Sequence, residues 1–366
     1  MKVKKTDELQ GMKWLRKGVL VECILVLVLM CAIIRQSNTV LVNSRVEDEL
    51  TWESETKSDE TGQENTIKWI DFTVSYEALC QAYDWDVKTH GTECEVNWIE
   101  LLAYTAARTG GKFDNNALKI LELIAAELSE GKATMEELSE GLKYYSYYLE
   151  AYDAVLGGMV GEYEAEVKTE NGQTNYQSQY GLKAYFPLAR GFDYSHYDDF
   201  GAGRSYGYQR KHLGHDMMGQ TGTPIIAVES GVVEALGWNQ YGGWRVGIRS
   251  FDGRRYYYYA HLRQNYPYAE GLEEGSVVTA GDVIGYMGHT GYSTEENVNN
   301  IKVTHLHWGL ELIFDEKRRE EGFEIWIDIY PLTRFLAKHT QPVHKVEGTK
   351  EWVRTTDIID PEVPPF

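Results

Sequence analysis

The sequence predicts an α+β protein whose C-terminal part is mainly an antiparallel β-sheet. Between residues 68 and 157 apolar side chains recur at helical spacing. From about Lys183 glycines become frequent, and short alternating runs follow turn sequences such as "FDGRR". An apolar run near the N terminus adds a membrane-spanning helix to this fold class. The 366 residues leave room for one or two domains with extensions.

The N-terminal region is predicted to form a single membrane anchor. Residues 18–34 are apolar except for Glu22, and as a helix they would span about 25 Å. Residues 1–17 are mainly basic, so this tail is expected to stay in the cytoplasm, with the C-terminal domain on the outer side of the cell membrane. A cleaved signal peptide is the alternative, although no small-residue cleavage pattern follows Ile34. Residues 35–66 are polar and acidic and are predicted to be a flexible linker.

Composition narrows the range of partners. The formal net charge of −20 argues against nucleic acid, because phosphate binding requires a basic surface. Two of the 4 cysteines lie in the predicted anchor. The other two, Cys80 and Cys94, lie in the predicted exported part, where both a disulfide and two free thiols are compatible with the sequence.

Residues 67–160 are predicted to form a small helical domain. One helix with an apolar face ends at Gly110. Thr134 and Glu137 form a capping-box pair that begins another helix, which is predicted to continue to Gly157. Its tyrosine and leucine side chains are interpreted as core packing. The domain carries no recognisable chemistry, which leaves binding of a protein partner as its candidate role.

The first candidate metal ligands lie in the segment "HLGHDMMGQTGTPIIAVESGVV", which begins at His212. His212 and Asp216 lie on either side of Gly214, whose freedom to adopt a tight or left-handed conformation would let both side chains converge on one ion. The apolar strand that follows can hold this loop in place. Alone, this spacing is a weak signal for a metal.

A second pair of histidines lies in "VTHLHWGLEL", which is predicted to be a strand. Because strand side chains alternate between faces, His305 and His307 share one face, and Leu306 and Trp308 share the other. Two histidines on an otherwise apolar strand are costly to bury without partners. They are either hydrogen-bonded beside a polar groove, or a metal ligand with a catalytic neighbour.

A tyrosine-rich run, "RRYYYYAHLRQ", contains a further histidine. Alternation places Tyr257, Tyr259 and His261 on one face of a strand. His261 stands at the end of this strand, where functional side chains tend to gather. The run by itself indicates only a tyrosine-rich strand.

Together these residues fit the chemistry of a catalytic zinc ion. Such an ion takes three protein ligands and leaves one position open for water. His212, Asp216 and one of the two histidines at 305 and 307 supply that set. A remaining histidine can accept a proton from the water, and another can hydrogen-bond the oxyanion that forms. The predicted cofactor is therefore Zn²⁺, and the predicted nucleophile is water.

The motifs "HLGHD", "YAHL" and "HLHWGLEL" resemble those of lysostaphin-type (LytM-type) zinc peptidases, which are peptidoglycan endopeptidases. The resemblance covers about Phe186 to Phe314. It implies a peptidase domain over residues 183–336, with a β-groove built on a duplicated hybrid motif and the zinc on its floor. Residues 337–366 then form a C-terminal extension. It also implies a hydrolase whose partner is the peptide of the bacterial cell wall.

Carried onto this chain, the resemblance assigns a role to each motif residue. It implies three zinc ligands: His212, Asp216 and His307. It implies that His305 is the general base and that His261 orients the water or stabilises the transition state. His215 stands at a position that varies in the family pattern. The candidate cleft-lining residues are Tyr259, His289 and Trp308.

Two other functions are compatible with some of these sequence features. Some relatives are scaffolds or regulators of cell-wall remodelling or of a sporulation channel, and they typically lose ligands, whereas all five positions are present here. The segment "EGSVVTAGDVIG" also resembles a hairpin of biotinyl-type or lipoyl-type carrier barrels. Those barrels need an exposed lysine at the hairpin tip, and this segment has none. The sequence therefore favours the peptidase.

Overall fold

The computed structural model describes residues 70, 72–168, 171, 173–206 and 208–364. The predicted cytoplasmic tail, the anchor at 18–34 and the acidic linker lie outside the described residues. Among the described residues, no helix combines the length and the apolar character that a membrane crossing requires.

Five helices form the first part of the described chain: α1 (Tyr76–Thr89), α2 (Trp98–Thr109), α3 (Asn115–Ser129), α4 (Met135–Ser139) and α5 (Tyr145–Leu156). Side-chain oxygens cap the first turns of α1 to α4, because the leading backbone N–H groups of a helix have no partner within it. The predicted end of a helix at Gly110 is confirmed, with the glycine in the left-handed conformation. The predicted capping box of Thr134 and Glu137 is also confirmed.

The single helix predicted from Thr134 to Gly157 is wrong, because the structure divides it into α4 and α5. Gly141, between the two helices, has a φ of 75°, which no helix interior accommodates. Neither Cys80 nor Cys94 is bonded to another cysteine, so the structure has the free-thiol alternative.

A β-hairpin that was not predicted from the sequence follows the helices. Its strands are β1 (Val160–Lys168) and β2 (Thr174–Leu182), and β1 also pairs with a strand near the C terminus, β17 (Ile358–Ile359). The available sequence signal was Asn171–Gly172 between two alternating segments, which is typical of a hairpin.

Strands β3 to β14 build the site-bearing region. Their bounds are β3 (Ser195–His196), β4 (Gly203–Tyr206), β5 (Tyr208–Lys211), β6 (His215–Met218), β7 (Pro224–Ile226), β8 (Gly231–Asn239), β9 (Gly243–Ser250), β10 (Arg255–Ala260), β11 (Val277–Val278), β12 (Val283–Tyr286), β13 (His305–Leu312) and β14 (Ile325–Trp326). The main sheet has the order β11-β8-β9-β10-β13-β6-β3, with β14 paired to β13, and the pairs between its named strands are antiparallel. The predicted, mainly antiparallel sheet is therefore confirmed.

Two helices interrupt the mainly β region predicted over residues 183–336. Helix α6 (Glu316–Glu320) begins after Asp315, whose carboxylate accepts hydrogen bonds from the first turn. Helix α7 (Tyr330–Leu336) has a proline in its first turn, where the missing N–H costs no hydrogen bond. Strands β15 (Val343–Lys345) and β16 (Trp352–Arg354) then form a separate hairpin.

The helical segment and the main sheet share one hydrophobic core. Helix α7 packs against the N-terminal helices through Phe335, whose ring centroid lies 5.5 Å from that of Tyr83 and 5.9 Å from that of Trp98. A second contact involves Arg255, at the start of β10. Its guanidinium donates to both carboxylate oxygens of Glu229, in a buried ion pair, and to the carbonyl oxygen of Ala154 in α5. These contacts fix the base of the strand that leads to the site.

Candidate metal centre

Three predicted ligands point their donor atoms at one another on one face of the main sheet. His212 Nε2 lies 2.9 Å from Asp216 Oδ1 and 3.0 Å from His307 Nδ1, and His307 Nδ1 lies 2.9 Å from Asp216 Oδ1. Within the described residues, this is the group of three that could hold a metal ion.

Strand pairing explains why these residues meet. His307 in β13 lies directly opposite Asp216 in β6, so the two side chains leave the sheet on the same face. His212 lies in the loop before β6, and its backbone is fixed at both ends: its N–H donates to Ala202 and its carbonyl accepts from Gly201. Two neighbouring strands and one hydrogen-bonded loop thus bring the three residues together, although His212 and His307 are 95 positions apart in the sequence.

The donor set and its spacing fit Zn²⁺. Two imidazoles and one carboxylate form a common ligand set of catalytic zinc, and tetrahedral bonds of about 2.1 Å place ligand atoms about 3.4 Å apart. The observed separations of 2.9 to 3.0 Å are within a few tenths of an ångström of that spacing. Burial holds the pKa of His307 below its ordinary value although Asp216 opposes the shift, which favours the neutral imidazole that a metal requires.

Two further side chains, which were not predicted from the sequence, lie behind the ligands and orient them. The other ring nitrogen of His212, Nδ1, is hydrogen-bonded to the backbone carbonyl oxygen of Asp199 at 3.3 Å and lies 3.2 Å from Oδ1 of its carboxylate. Arg204 bonds the second oxygen of Asp199 and lies 3.6 Å from Asp216 Oδ2. A carboxylate behind a ligand histidine fixes its ring and makes it a better donor. The sequence has several aspartates before the first motif, which could have indicated a carboxylate near His212. It does not show which of them is the partner.

His305 directs its Nε2 toward the group. Its Nδ1 lies 2.8 Å from the carbonyl oxygen of Val303, and since a carbonyl oxygen can only accept, Nδ1 carries the proton. In the neutral ring the lone pair is therefore on Nε2, which lies 3.8 Å from Asp216 Oδ1. A histidine in this state can accept a proton from a molecule bound beside the ligands.

His261 reaches the same face by breaking the alternation of its strand. Strand β10 ends at Ala260, and His261 has a φ of 64°, a left-handed conformation that is strained for a residue with a side chain. Its ring lies 4.7 Å from that of His305 and 5.9 Å from that of His307. Burial lowers its pKa well below the ordinary value, so the ring is neutral, and Nδ1 donates to the carbonyl oxygen of Thr290 at 2.9 Å.

The predicted cleft-lining roles of Tyr259 and Trp308 are wrong. Both side chains are fully buried on the opposite face of the sheet, and the hydroxyl of Tyr259 accepts a hydrogen bond from the backbone of Val228. The tyrosine on the site face is instead Tyr258, whose ring lies 6.0 Å from that of His307. The third candidate, His289, is half-buried in the loop before β13 and bonds the carbonyl oxygen of Ile301.

His215 lies on the face of β6 that points away from the metal group. Its neighbour Asp216 faces the group, and successive side chains of a strand point to opposite faces. It is buried, its Nε2 lies 2.8 Å from His196 Nδ1, and its ring packs edge-on to Tyr330. Burial lowers its pKa to about 3, so it is a neutral, structural histidine.

Gly214 is required for space rather than for backbone freedom. Among the described glycines, those with positive φ do not include Gly214. A Cβ at this position would instead lie 2.5 Å from Cε1 of His307 and 2.8 Å from the carbonyl oxygen of Trp308. The glycine therefore lets the loop close over the ring of a ligand.

Gly214→Ala is expected to push His307 out of position and to lower zinc affinity by about 10- to 100-fold, as loss of ligand orientation does. A zinc titration against a competing chelator measures this. Gly203→Ala is the control, because a Cβ there meets nothing within 4 Å. Equal zinc affinities of the two variants would contradict the steric argument.

Comparison with known proteins agrees with this geometry. Residues 210–318 match peptidase family M23. The L-Ala–D-Glu endopeptidase of Bacillus subtilis is 33% identical over 218 residues, which cover 56% of this chain and 63% of that protein. Lysostaphin of Staphylococcus simulans is 36% identical over 89 residues, which cover 24% of this chain and 17% of that protein. The chain thus spans less than two thirds of the length of either relative.

Among solved structures, a LytM protein of Ruminococcus gnavus, described as a candidate glycyl-glycine endopeptidase, superposes with a TM-score of 0.49 at 22% identity, over 75% of this chain and 92% of that one. The match over residues 210–318 includes the ligand triad and the two histidines beside it. This chain therefore carries a domain of peptidase family M23 and is homologous to the lysostaphin-type endopeptidases.

Proposed function

We propose that this protein is a zinc endopeptidase that hydrolyses peptide bonds in bacterial peptidoglycan. The observation that carries the proposal is the triad of His212, Asp216 and His307, with the rings of His261 and His305 beside it. The names of its relatives support it, since an L-Ala–D-Glu endopeptidase, lysostaphin and a glycyl-glycine endopeptidase are among them.

The chain supplies the remaining parts of a hydrolytic site. A bound Zn²⁺ provides Lewis acidity and makes water a stronger nucleophile near neutral pH. Asp216 contributes one negative charge, which leaves the site with net positive charge. His305, with its lone pair on Nε2, accepts a proton and can return it to the leaving amine. His261 is held rigidly by Thr290 and orients the reacting groups from the other side of His305.

The proposal extends to the location of the protein. The apolar residues 18–34 and the basic tail before them support a single-pass anchor in the cell membrane with the catalytic region outside the cytoplasm, where peptidoglycan lies. The acidic residues 35–66 would then space the enzyme from the membrane.

Zinc affinity is expected to fall as the pH decreases. Burial acts to lower the pKa of His212, but the hydrogen bond and charge of Asp216 and the charge of Asp199 outweigh it, so this pKa lies above the ordinary 6.5. A proton on His212 competes with the metal, so the loss begins above pH 6.5 and approaches tenfold per pH unit below the pKa. Chelator competition between pH 8 and pH 5.5 measures it, and a constant affinity over that range would argue against His212 as a ligand.

The activity has a direct test. The purified chain is loaded with zinc, its metal content is measured, and it is incubated with intact peptidoglycan. One zinc ion per chain and new amino termini in the products are the expected results. Mass spectrometry of the released fragments identifies the bond. A chain that binds no zinc and releases no new amino termini would refute the proposed function.

A further inference from the structure

Two arginines face each other on the hairpin beside the metal group. Arg204 in β4 lies directly opposite Arg210 in β5, an arrangement of like charges that destabilises a hairpin unless something compensates for it. Arg204 is compensated by Asp199 and lies 3.6 Å from Asp216. For Arg210, the described part of the chain offers no carboxylate oxygen within 4.0 Å.

The guanidinium of Arg210 is nevertheless held in place. It donates to the hydroxyl of Tyr292 and lies 5.2 Å from the ring centre of Tyr292 and 5.6 Å from that of Tyr241, which is cation–π geometry. Tyr292 has a φ of 48°, a strained conformation, and its ring lies 5.8 Å from that of His261. Tyr292 therefore holds Arg210 in place and also contacts His261, the predicted catalytic histidine.

A third positive charge lies on the same face of the sheet. Arg245 in β9 shares a face with Gly247, which pairs with Tyr258, the tyrosine in contact with His307. The Nε atoms of Arg210 and Arg245 are both buried without a hydrogen-bond partner. Arg210 and Arg245 therefore add two positive charges to the surroundings of the metal group, although the chain as a whole carries a net charge of −20.

We propose that Arg210, supported by the charge of Arg245, binds a free carboxylate of the peptide next to the scissile bond, so that the enzyme selects acidic peptides. This inference rests on the proposed function. A fixed, planar guanidinium is suited to a carboxylate, because it can donate two parallel hydrogen bonds. Within the described residues no carboxylate lies within 4.0 Å of Arg210, so its charge is available to a bound carboxylate.

The test compares soluble cross-linked muropeptides before and after their free carboxylates are converted to carboxamides. The zinc-loaded wild-type chain is expected to show a kcat/KM about 10- to 100-fold higher on the acidic form, which is the range for a charge-assisted hydrogen bond. Arg210→Gln is expected to lose that advantage and to cleave the amidated form within about threefold of wild type. Arg210→Lys is expected to recover part of the preference, since it restores the charge without the planar fork.

Arg334→Gln is the matched control, because Arg334 is an exposed arginine on α7 that pairs with Glu77. It is expected to keep the wild-type preference. A wild-type enzyme that cleaves both forms equally, or an Arg210→Gln variant that loses activity equally on both, would overturn the inference. If the wild type cleaves neither form, the proposed function fails. Calorimetric binding of the two forms to the zinc-loaded chain then decides the carboxylate preference, and equal affinities overturn it.

Discussion

His305→Ala is expected to reduce peptide hydrolysis by about 10²- to 10⁴-fold while the zinc stays bound, whereas His307→Ala is expected to lose both zinc and activity. The two rings lie on the same face of β13, but only His307 has a nitrogen in the ligand triangle. His305 uses one nitrogen on Val303 and keeps the other 3.8 Å from Asp216. Metal content by atomic absorption and kcat/KM on muropeptides measure the two effects separately.

His344→Ala is the control for this pair, because His344 is an exposed histidine on the β15–β16 hairpin. It is expected to keep full zinc content and full activity. If His305→Ala released the metal, the division of roles would be wrong. If it kept wild-type activity, His305 would not be the proton acceptor.

Glu229→Gln is expected to lower the free energy of unfolding by about 3–5 kcal/mol, which is the range for breaking a buried ion pair. Glu229 and Arg255 are both almost completely buried, and their two hydrogen bonds measure 2.8 and 2.9 Å. The same carboxylate accepts from the hydroxyl of Tyr257 at 2.5 Å. The variant leaves a buried guanidinium with only the partly exposed Asp252 as its counter-charge.

Urea unfolding of the full chain measures this change. Glu234→Gln is the matched control, because Glu234 pairs with Arg249 and Arg319 on the surface of the same sheet, where such pairs contribute less than about 1 kcal/mol. Similar losses in the two variants would show that burial does not set the strength of the Glu229 pair.

The sequence by itself indicated the residues of the candidate metal centre and several local features of the fold. Alternation along "HLHW" placed His305 and His307 on one face and Trp308 on the other, and the structure has this arrangement. The capping box at Thr134 and the helix end at Gly110 were equally readable, since both depend on neighbouring residues. The ligand types at 212, 216 and 307 indicated zinc because few other residues bind it well.

Other features of the site depend on contacts between segments that lie far apart in the sequence. Alternation alone would place His261 with Tyr259 in the core, but its left-handed backbone turns the ring to the site. The need for glycine at 214 arises from the ring of His307, which is 93 positions away. Asp199 becomes a partner of His212 only when its loop closes on β6. Local patterns in a sequence record propensity and alternation, whereas steric fit and hydrogen-bond partners depend on which distant segments pack together.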